Sequence, residues 1–342
     1  NYRFFQQKIE TFLDDFPGYF AYLPTRILNN CILLPIETES QDAALRIFST
    51  LNDRGKPLSD SDIFKAQLYM YYARAKQRIK SSTTEALRKF YERDSYALLK
   101  NDETFENIID LTNFWHDVSN QNTEKFSDRV LKRLFVLNYA PNGMWEYIVS
   151  VYYLVNRTQD GLLDDEAFYN FLNIITAFIW GYSLTNPGVN ALRTPLFAEM
   201  INIINGVSVE FKDYKFDAIR LTNAFNNYVF TNKKVITKSM LTLIAFNDSE
   251  QPLLSLNQPF EIEHIYARNR YDHEHSLTDP RNIDSLGNKI LLEKGINIRA
   301  SDYRFADKIK YYTGEGITRG QYKNGTQIKE LRDMAANLTD FT

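Results

Sequence analysis

Between residues 260 and 308 the sequence carries side chains that could cleave a phosphodiester bond. Glu263 and His264 are adjacent, Asn288 follows a glycine, and Asn297 comes after the next apolar run. Phosphodiester hydrolysis needs a water molecule that loses a proton near neutral pH, and the ordinary pKa of histidine suits a general base for that step. We therefore predict that His264 is the catalytic base.

The same reaction needs a cation to offset the charge on the phosphate and on the leaving oxygen. Mg²⁺ prefers hard oxygen ligands and keeps several water molecules, and Mn²⁺ can take its place. We predict that the carboxylate of Glu263 and the amide oxygen of Asn297 bind this cation. Asn288 has a donor and an acceptor in its side chain. We expect it to tie the loop backbone to the strand that bears His264, as a second catalytic residue.

The elements that must position these side chains follow from the local pattern. The short apolar, β-branched segment 260–266 predicts a strand, and 286–292 predicts a second strand entered through a Gly-Asn turn. A turn is expected at Lys294-Gly295, and Ser301 is the predicted N-cap of a closing helix. This order is typical of a ββα-metal nuclease site.

One aspect of this layout restricts the metal site. Strict alternation along a strand places Glu263 and His264 on opposite faces. Both side chains can therefore reach one metal only where the strand ends or twists.

Two separate stretches resemble one protein family. Glu263-His264-Ile265, Gly287-Asn288 and Asn297 resemble the HNH (His-Me finger) motif in the C-terminal domain of GmrSD-type, modification-dependent (type IV) restriction endonucleases. Residues 47–59 resemble the latter part of that family's N-terminal domain, which is ParB/sulfiredoxin-like and hydrolyses nucleotides. Two departures accompany the resemblance. Ala267 stands where the family often has proline, and the family's Asp-Gly-Gln-Gln-Arg type of motif is absent from the sequence.

The resemblance implies a function and further site residues. It implies metal-dependent cleavage of foreign, modified double-stranded DNA under nucleotide control, with Asn52, Arg54 and Gly55 in the nucleotide loop. Arg304 and Lys308 are candidate contacts for DNA phosphates, because basic residues outnumber acidic ones after the site. Two other functions stay open: an inactive DNA-binding or scaffold subunit, and an RNA-directed or toxin-like nuclease. Homo-oligomerisation also stays open.

The predicted fold is mainly α, with small α/β and ββα parts. We expect the C-terminal part of a truncated ParB-like α/β domain at 1–80, a helical region at 81–234 and an HNH-like domain at 235–342. The chain begins with Asn1, and the strand predicted at 27–36 needs sheet partners before it, so we expect a fragment. The main nucleotide motif would precede this fragment. We therefore expect the nucleoside triphosphate to bind the full-length protein and not these residues alone.

Composition excludes several classes of protein. Among 342 residues there is a single cysteine, Cys31, which excludes an internal disulfide and a Cys-based zinc site and suits a reducing cytoplasm. The net charge of −3 argues against a uniformly basic surface. No signal peptide is visible. Residues 167–192 carry no charge, but Gly, Pro and Asn interrupt them, which favours a buried bundle helix ending near Gly181 over a membrane span. The three tryptophans are expected to pack the bundle.

Overall fold

The computed structural model describes residues 2–20, 22, 25, 89–93, 97–188, 190–214, 216–275, 277–318 and 320–341. The chain forms two compact units, Asn1–Ser59 and Asp60–Thr342. The predicted strand at 27–36 and the loop with Asn52, Arg54 and Gly55 lie outside the described residues. Within the described parts the chain is mainly helical with small two-stranded sheets, which confirms the mainly α class.

In the first unit, the described residues contain one α-helix and a short turn. Helix α1 (Tyr2–Asp15) is followed by a 3-10 turn at Pro17–Tyr19, where proline at the start fixes the backbone angle that the turn needs. The rings of Phe12 and Phe16 meet at 5.2 Å, and Tyr19 packs edge-on against both. These contacts fold the turn back onto the end of α1.

The described part of the second unit contains a series of helices before its first strand. They are α2 (Asp102–Ser119), α3 (Asp128–Asn138), α4 (Met144–Asn156), α5 (Asp165–Thr185), α6 (Arg193–Ile204), α7 (Ala218–Asn227) and α8 (Val235–Ala245). Their starts follow from the sequence. Asp164 accepts a hydrogen bond from the backbone N–H of Ala167, and acidic residues fill the first turn of α5, where the helix dipole favours negative charge. Asp217 caps α7 in the same way.

Helix α5 passes through the core of this unit. It continues to Thr185, beyond Gly181, where the sequence predicted its end. Gly181 lies inside this helix, and the ring of Phe216 packs beside it, with its nearest atom 3.4 Å from where a Cβ would lie. Trp145 and Trp180 are buried, and the indole N–H of Trp180 donates to the carbonyl of Ser239 at 3.0 Å, so the predicted packing role of these tryptophans is confirmed. No helix among the described residues has the length and apolar character to cross a membrane.

The C-terminal part contains two short antiparallel sheets and further helices. These are β1 (Phe260–His264), α9 (Arg268–Glu274), β2 (Lys289–Glu293), α10 (Lys294–Ala300), α11 (Phe305–Thr313), β3 (Ile317–Thr318), β4 (Gln321–Tyr322) and α12 (Lys329–Asn337). Strands β1 and β2 pair so that Glu263 faces Ile290 and His264 faces Lys289. Phe260 also contacts Phe135 of α3, at 6.0 Å between ring centroids. The strands therefore share the hydrophobic core of the helices.

Two local predictions after β2 were wrong. Lys294 and Gly295 do not form a turn, because α10 begins directly after the last residue of β2. Ser301 is not an N-cap: its φ of 45° ends α10, and the next helix starts at Phe305 with Arg304 as its N-cap. Asn297 consequently lies inside a helix that follows an antiparallel strand pair.

Candidate active site at the end of strand β1

His264 is the last residue of β1, and its side chain is half-buried. Burial, and after it the nearby cations of Lys289 and Arg268, lower its pKa to about 4, while Asp284 acts in the opposite direction. Its Nε2 is buried, and no hydrogen bond among the described residues reaches it. The imidazole is therefore neutral at neutral pH and has a nitrogen available to accept a proton.

Asn288 fixes the backbone that continues from His264. Its Oδ1 accepts from the N–H of Tyr266 at 2.7 Å, and its Nδ2 donates to the carbonyls of Tyr266 at 3.0 Å and Ile283 at 3.2 Å. Its own carbonyl accepts from the N–H of Ile265 at 3.0 Å. The structure therefore contains the tie that the sequence predicted for Asn288, while its part in cleavage stays a prediction.

Lys308 of α11 forms a second tie to the same strand end. Its Nζ donates to Glu263 Oε1 at 2.7 Å, to the carbonyl of His264 at 2.7 Å and to that of Ile265 at 3.3 Å. The side chain is 0% exposed. The predicted contact of Lys308 with a DNA phosphate does not agree with this burial, because the ammonium has no surface to present. Arg304, in contrast, is 67% exposed and close to Glu274, so its predicted phosphate contact stays open.

Glu263 belongs to the buried cluster of Lys308 and Tyr312. The phenol of Tyr312 donates to the same oxygen as Lys308, at 2.7 Å. Burial raises the pKa of Glu263, and the ammonium and the phenol counteract part of that rise. The carboxylate is thus occupied by two protein donors in the core.

The side chain of Asn297 contacts a different carboxylate, that of Glu261. Its Nδ2 donates to Glu261 Oε2 at 2.9 Å, and Lys294 is 3.4 Å from the other oxygen of Glu261. Glu261 and Asn297 are both partly exposed. The two predicted metal ligands, Glu263 and Asn297, are therefore directed to separate partners.

A charged trio lies on the His264 side of the strand pair. Lys289, directly opposite His264, donates from Nζ to Asp284 Oδ1 at 2.9 Å and to the carbonyl of Phe230 at 2.6 Å. Arg268 donates from Nη2 to the same oxygen of Asp284 at 2.5 Å. These donors lower the pKa of Asp284 although its burial acts in the opposite direction. The trio is two cations and one carboxylate.

Two segments of the chain match known domain families. Residues 1–69 match the N-terminal domain of GmrSD restriction endonuclease, and residues 212–335 match the C-terminal domain of GmrSD restriction endonucleases. The matches occur in the family's order and together cover more than half of the chain. The chain belongs to the GmrSD restriction endonuclease family. No curated protein and no solved structure matches it.

Membership of the GmrSD family makes this chain a restriction nuclease that acts on DNA. The C-terminal GmrSD match contains His264, Asn288 and the ties around them, as well as Arg304. The N-terminal match contains Asn52, Arg54 and Gly55. The helices between the two matches, α2 to α6, lie outside both.

The donor set predicted for a cation does not fit this GmrSD chain as it stands. Glu263 holds Lys308, Asn297 is turned to Glu261, and no group of three or more His, Cys, Asp or Glu residues that could hold a metal occurs among the described residues. The predicted metal roles of Glu263 and Asn297 therefore stay predictions.

Sequence reasoning missed several residues of this GmrSD site. The charged trio of Arg268, Asp284 and Lys289 was not predicted, nor was Tyr312 beneath Glu263. One signal could have found Lys289. If the first strand ends at His264 and the second begins after Asn288, antiparallel pairing places Lys289 opposite His264.

Proposed function

We propose that this chain cleaves DNA by phosphodiester hydrolysis with His264 as the general base, and that it restricts foreign, modified double-stranded DNA. The neutral, unpartnered imidazole at the end of β1, inside the segment that matches the GmrSD C-terminal domain, is the observation that carries this proposal. An imidazole that is neutral at neutral pH can take the proton of an attacking water molecule. An ordinary buried histidine would have a hydrogen-bond partner for Nε2.

The chain's own residues give this base its position. Asn288 holds the backbone of Tyr266, and Lys308 holds the carbonyl of His264 itself. A water molecule activated by His264 attacks the phosphorus, the bond to the leaving oxygen breaks, and the proton passes to the imidazole. A catalytic group loses activity when it is displaced by a small distance. These two ties therefore support catalysis by holding His264 in place, although they do not touch the substrate.

Dependence on Mg²⁺ or Mn²⁺ is part of the same proposal. Phosphodiester hydrolysis builds up negative charge that a divalent cation offsets. Glu263 and Asn297 contact protein partners in the described arrangement, which therefore assigns no ligand set. Titration of cleavage with Mg²⁺, Mn²⁺ and EDTA, on the parent and on Asn297→Ala, tests the requirement and the role of Asn297 together.

We propose nucleotide control through the family's N-terminal domain. It rests on the family match to residues 1–69. For the present chain we propose that nucleoside triphosphate neither binds nor changes cleavage. Calorimetry with GTP, ATP, UTP and CTP tests this, and binding tighter than about 10 μM, roughly −7 kcal/mol, would contradict it.

The decisive experiment compares His264→Ala with His275→Ala on modified DNA, unmodified DNA and RNA of one sequence. His275 is exposed and belongs to the segment after β1, so it controls for a change of one imidazole nearby. We expect His264→Ala to lose about 10²- to 10⁴-fold of DNA cleavage and His275→Ala to keep it. Undiminished cleavage by His264→Ala would refute the assignment. Preference for RNA would favour the RNA-directed alternative, and absence of cleavage by the parent would favour the scaffold alternative.

A further inference from the structure

The two cations on the His264 side of the strand pair, Lys289 and Arg268, differ in whether they can contact a substrate. Directly opposed residues of an antiparallel pair have Cβ atoms about 5 Å apart on one face, so Lys289 is the cation next to His264. Its side chain is 0% exposed, and its Nζ donates to Phe230 and Asp284. Lys289 therefore cannot contact a substrate, and its geometry serves to hold Asp284.

Asp284 in turn holds Arg268. The carboxylate oxygen that accepts from Lys289 also accepts from Arg268 Nη2 at 2.5 Å. Arg268 begins α9, four residues after His264 in the chain, and 48% of its side chain is exposed. Its Nε and Nη1 make no hydrogen bond among the described residues. A planar guanidinium carries five N–H donors, so Arg268 keeps donors that the described residues do not use.

The other arginines of this region lack that combination. Arg270 is mostly buried and paired with Glu274, and Arg304 approaches the same carboxylate at 3.3 Å. The trio of Arg268, Asp284 and Lys289 has two positive charges against one negative charge, which leaves a net positive charge beside the neutral imidazole. Oriented guanidinium groups of this kind bind phosphate through paired N–H donors.

We propose that Arg268, held in place by Asp284 and Lys289, is the residue that binds the substrate phosphate presented to His264. The fixed guanidinium offsets the negative charge on the phosphate oxygens as the water molecule attacks. This inference rests on the proposed function, since it takes His264 as the reacting base. It adds a substrate contact that the sequence motif does not contain.

The test compares Arg268→Gln and Arg268→Lys with Arg281→Gln. Arg281 is exposed and paired with Asp279 within its own turn, so Arg281→Gln removes an equal charge from the same connection. We expect Arg268→Gln to lose about 10²-fold or more of kcat/KM. Arg268→Lys should recover part of this loss, because it restores the charge without the planar guanidinium. Arg281→Gln should match the parent. Asp284 keeps Lys289 in each variant, and unchanged circular dichroism and thermal melting will show that folding is intact.

A binding measurement separates this proposal from the proposed function. In the His264→Ala background, DNA affinity is measured against salt concentration. Loss of one phosphate contact should lower the slope of log K against log salt by about 0.9 for Arg268→Gln, while Arg268→Lys and Arg281→Gln keep the slope. The proposal would be overturned if Arg268→Gln matched the Arg281→Gln control in both cleavage and salt slope. Full cleavage by His264→Ala alone would overturn the base assignment and leave the slope test of Arg268 valid.

Discussion

The buried pair of Lys308 and Glu263 can be tested by a double-mutant cycle. Removing one member of a buried ion pair typically costs about 3 to 5 kcal/mol of stability, because the remaining charge is left without its partner. Glu263→Ala would leave the Lys308 ammonium, which is 0% exposed, with two backbone carbonyls as its partners. We expect a loss at the upper end of that range.

Lys308→Met should cost less than Glu263→Ala. Burial already raises the pKa of Glu263, so the carboxyl can become protonated once the ammonium is gone, and Tyr312 still donates to it. The double variant Glu263→Ala with Lys308→Met removes both charges, so neither is left alone in the core. We expect its cost to fall short of the sum of the single costs by about 1 to 3 kcal/mol.

Urea unfolding followed by tryptophan fluorescence measures these costs. Trp115, Trp145 and Trp180 all belong to the unit Asp60–Thr342, so the signal reports the unit that contains the pair. Lys310→Met is the control, because Lys310 is 61% exposed on the same helix and paired only with Asp307; it should change stability by less than about 0.5 kcal/mol. Single variants that cost less than about 1 kcal/mol, or single costs that add in the double variant, would refute the buried pair.

Three other predictions concern the site. The pKa of His264 is lowered to about 4, so the base is neutral above that value; kcat/KM should hold as the pH falls through the ordinary histidine value of about 6.5 and decline only towards pH 4. A pH profile with its midpoint at the ordinary value would contradict this. Asn288→Ala loses the hydrogen bonds to Tyr266 and Ile283, so it should lose about 2 to 4 kcal/mol of stability together with cleavage; an unfolding midpoint equal to that of the parent would disprove the tie. Glu293 accepts hydrogen bonds from the hydroxyl of Thr326 and the N–H of Gln327, both at 2.7 Å. Glu293→Ala should therefore release the segment after β4, which faster amide exchange at Gln327 and Ile328 would show. Unchanged exchange there would count against this prediction.

Short-range patterns predicted the strand with His264 and the role of Asn288 in the hairpin. The residues that pair around His264 and Asn288 belong to one hairpin, because β1 pairs with β2 in simple antiparallel register. The helical middle and its packed tryptophans followed from apolar periodicity. These features need only local pattern and the rule that apolar faces are buried.

The errors occurred where distant parts of the chain determine the outcome. Lysine at a helical position is usually exposed, but Lys308 is buried because the strand end offers it a carboxylate and two carbonyls from residues far away in sequence. Gly181 suggested a helix end, but α5 continues past it to Thr185, and the ring of Phe216 packs against this part of the helix. The separation of Glu263 from Asn297 also depends on tertiary placement, because α10 brings Asn297 to Glu261 while α11 brings Lys308 to Glu263, two residues further along β1.

The Lys308–Glu263 pair also bears on how relatives of this chain can diverge. Because the ammonium alone would lack its carboxylate in the core, and the carboxylate alone would have to become protonated, single replacements at these positions should be rare, and paired replacements by two neutral residues should be the tolerated route. The two positions are separated by the whole of β2 and α10 in the chain. In an alignment of relatives they should vary together, while the exposed neighbour Lys310 varies independently.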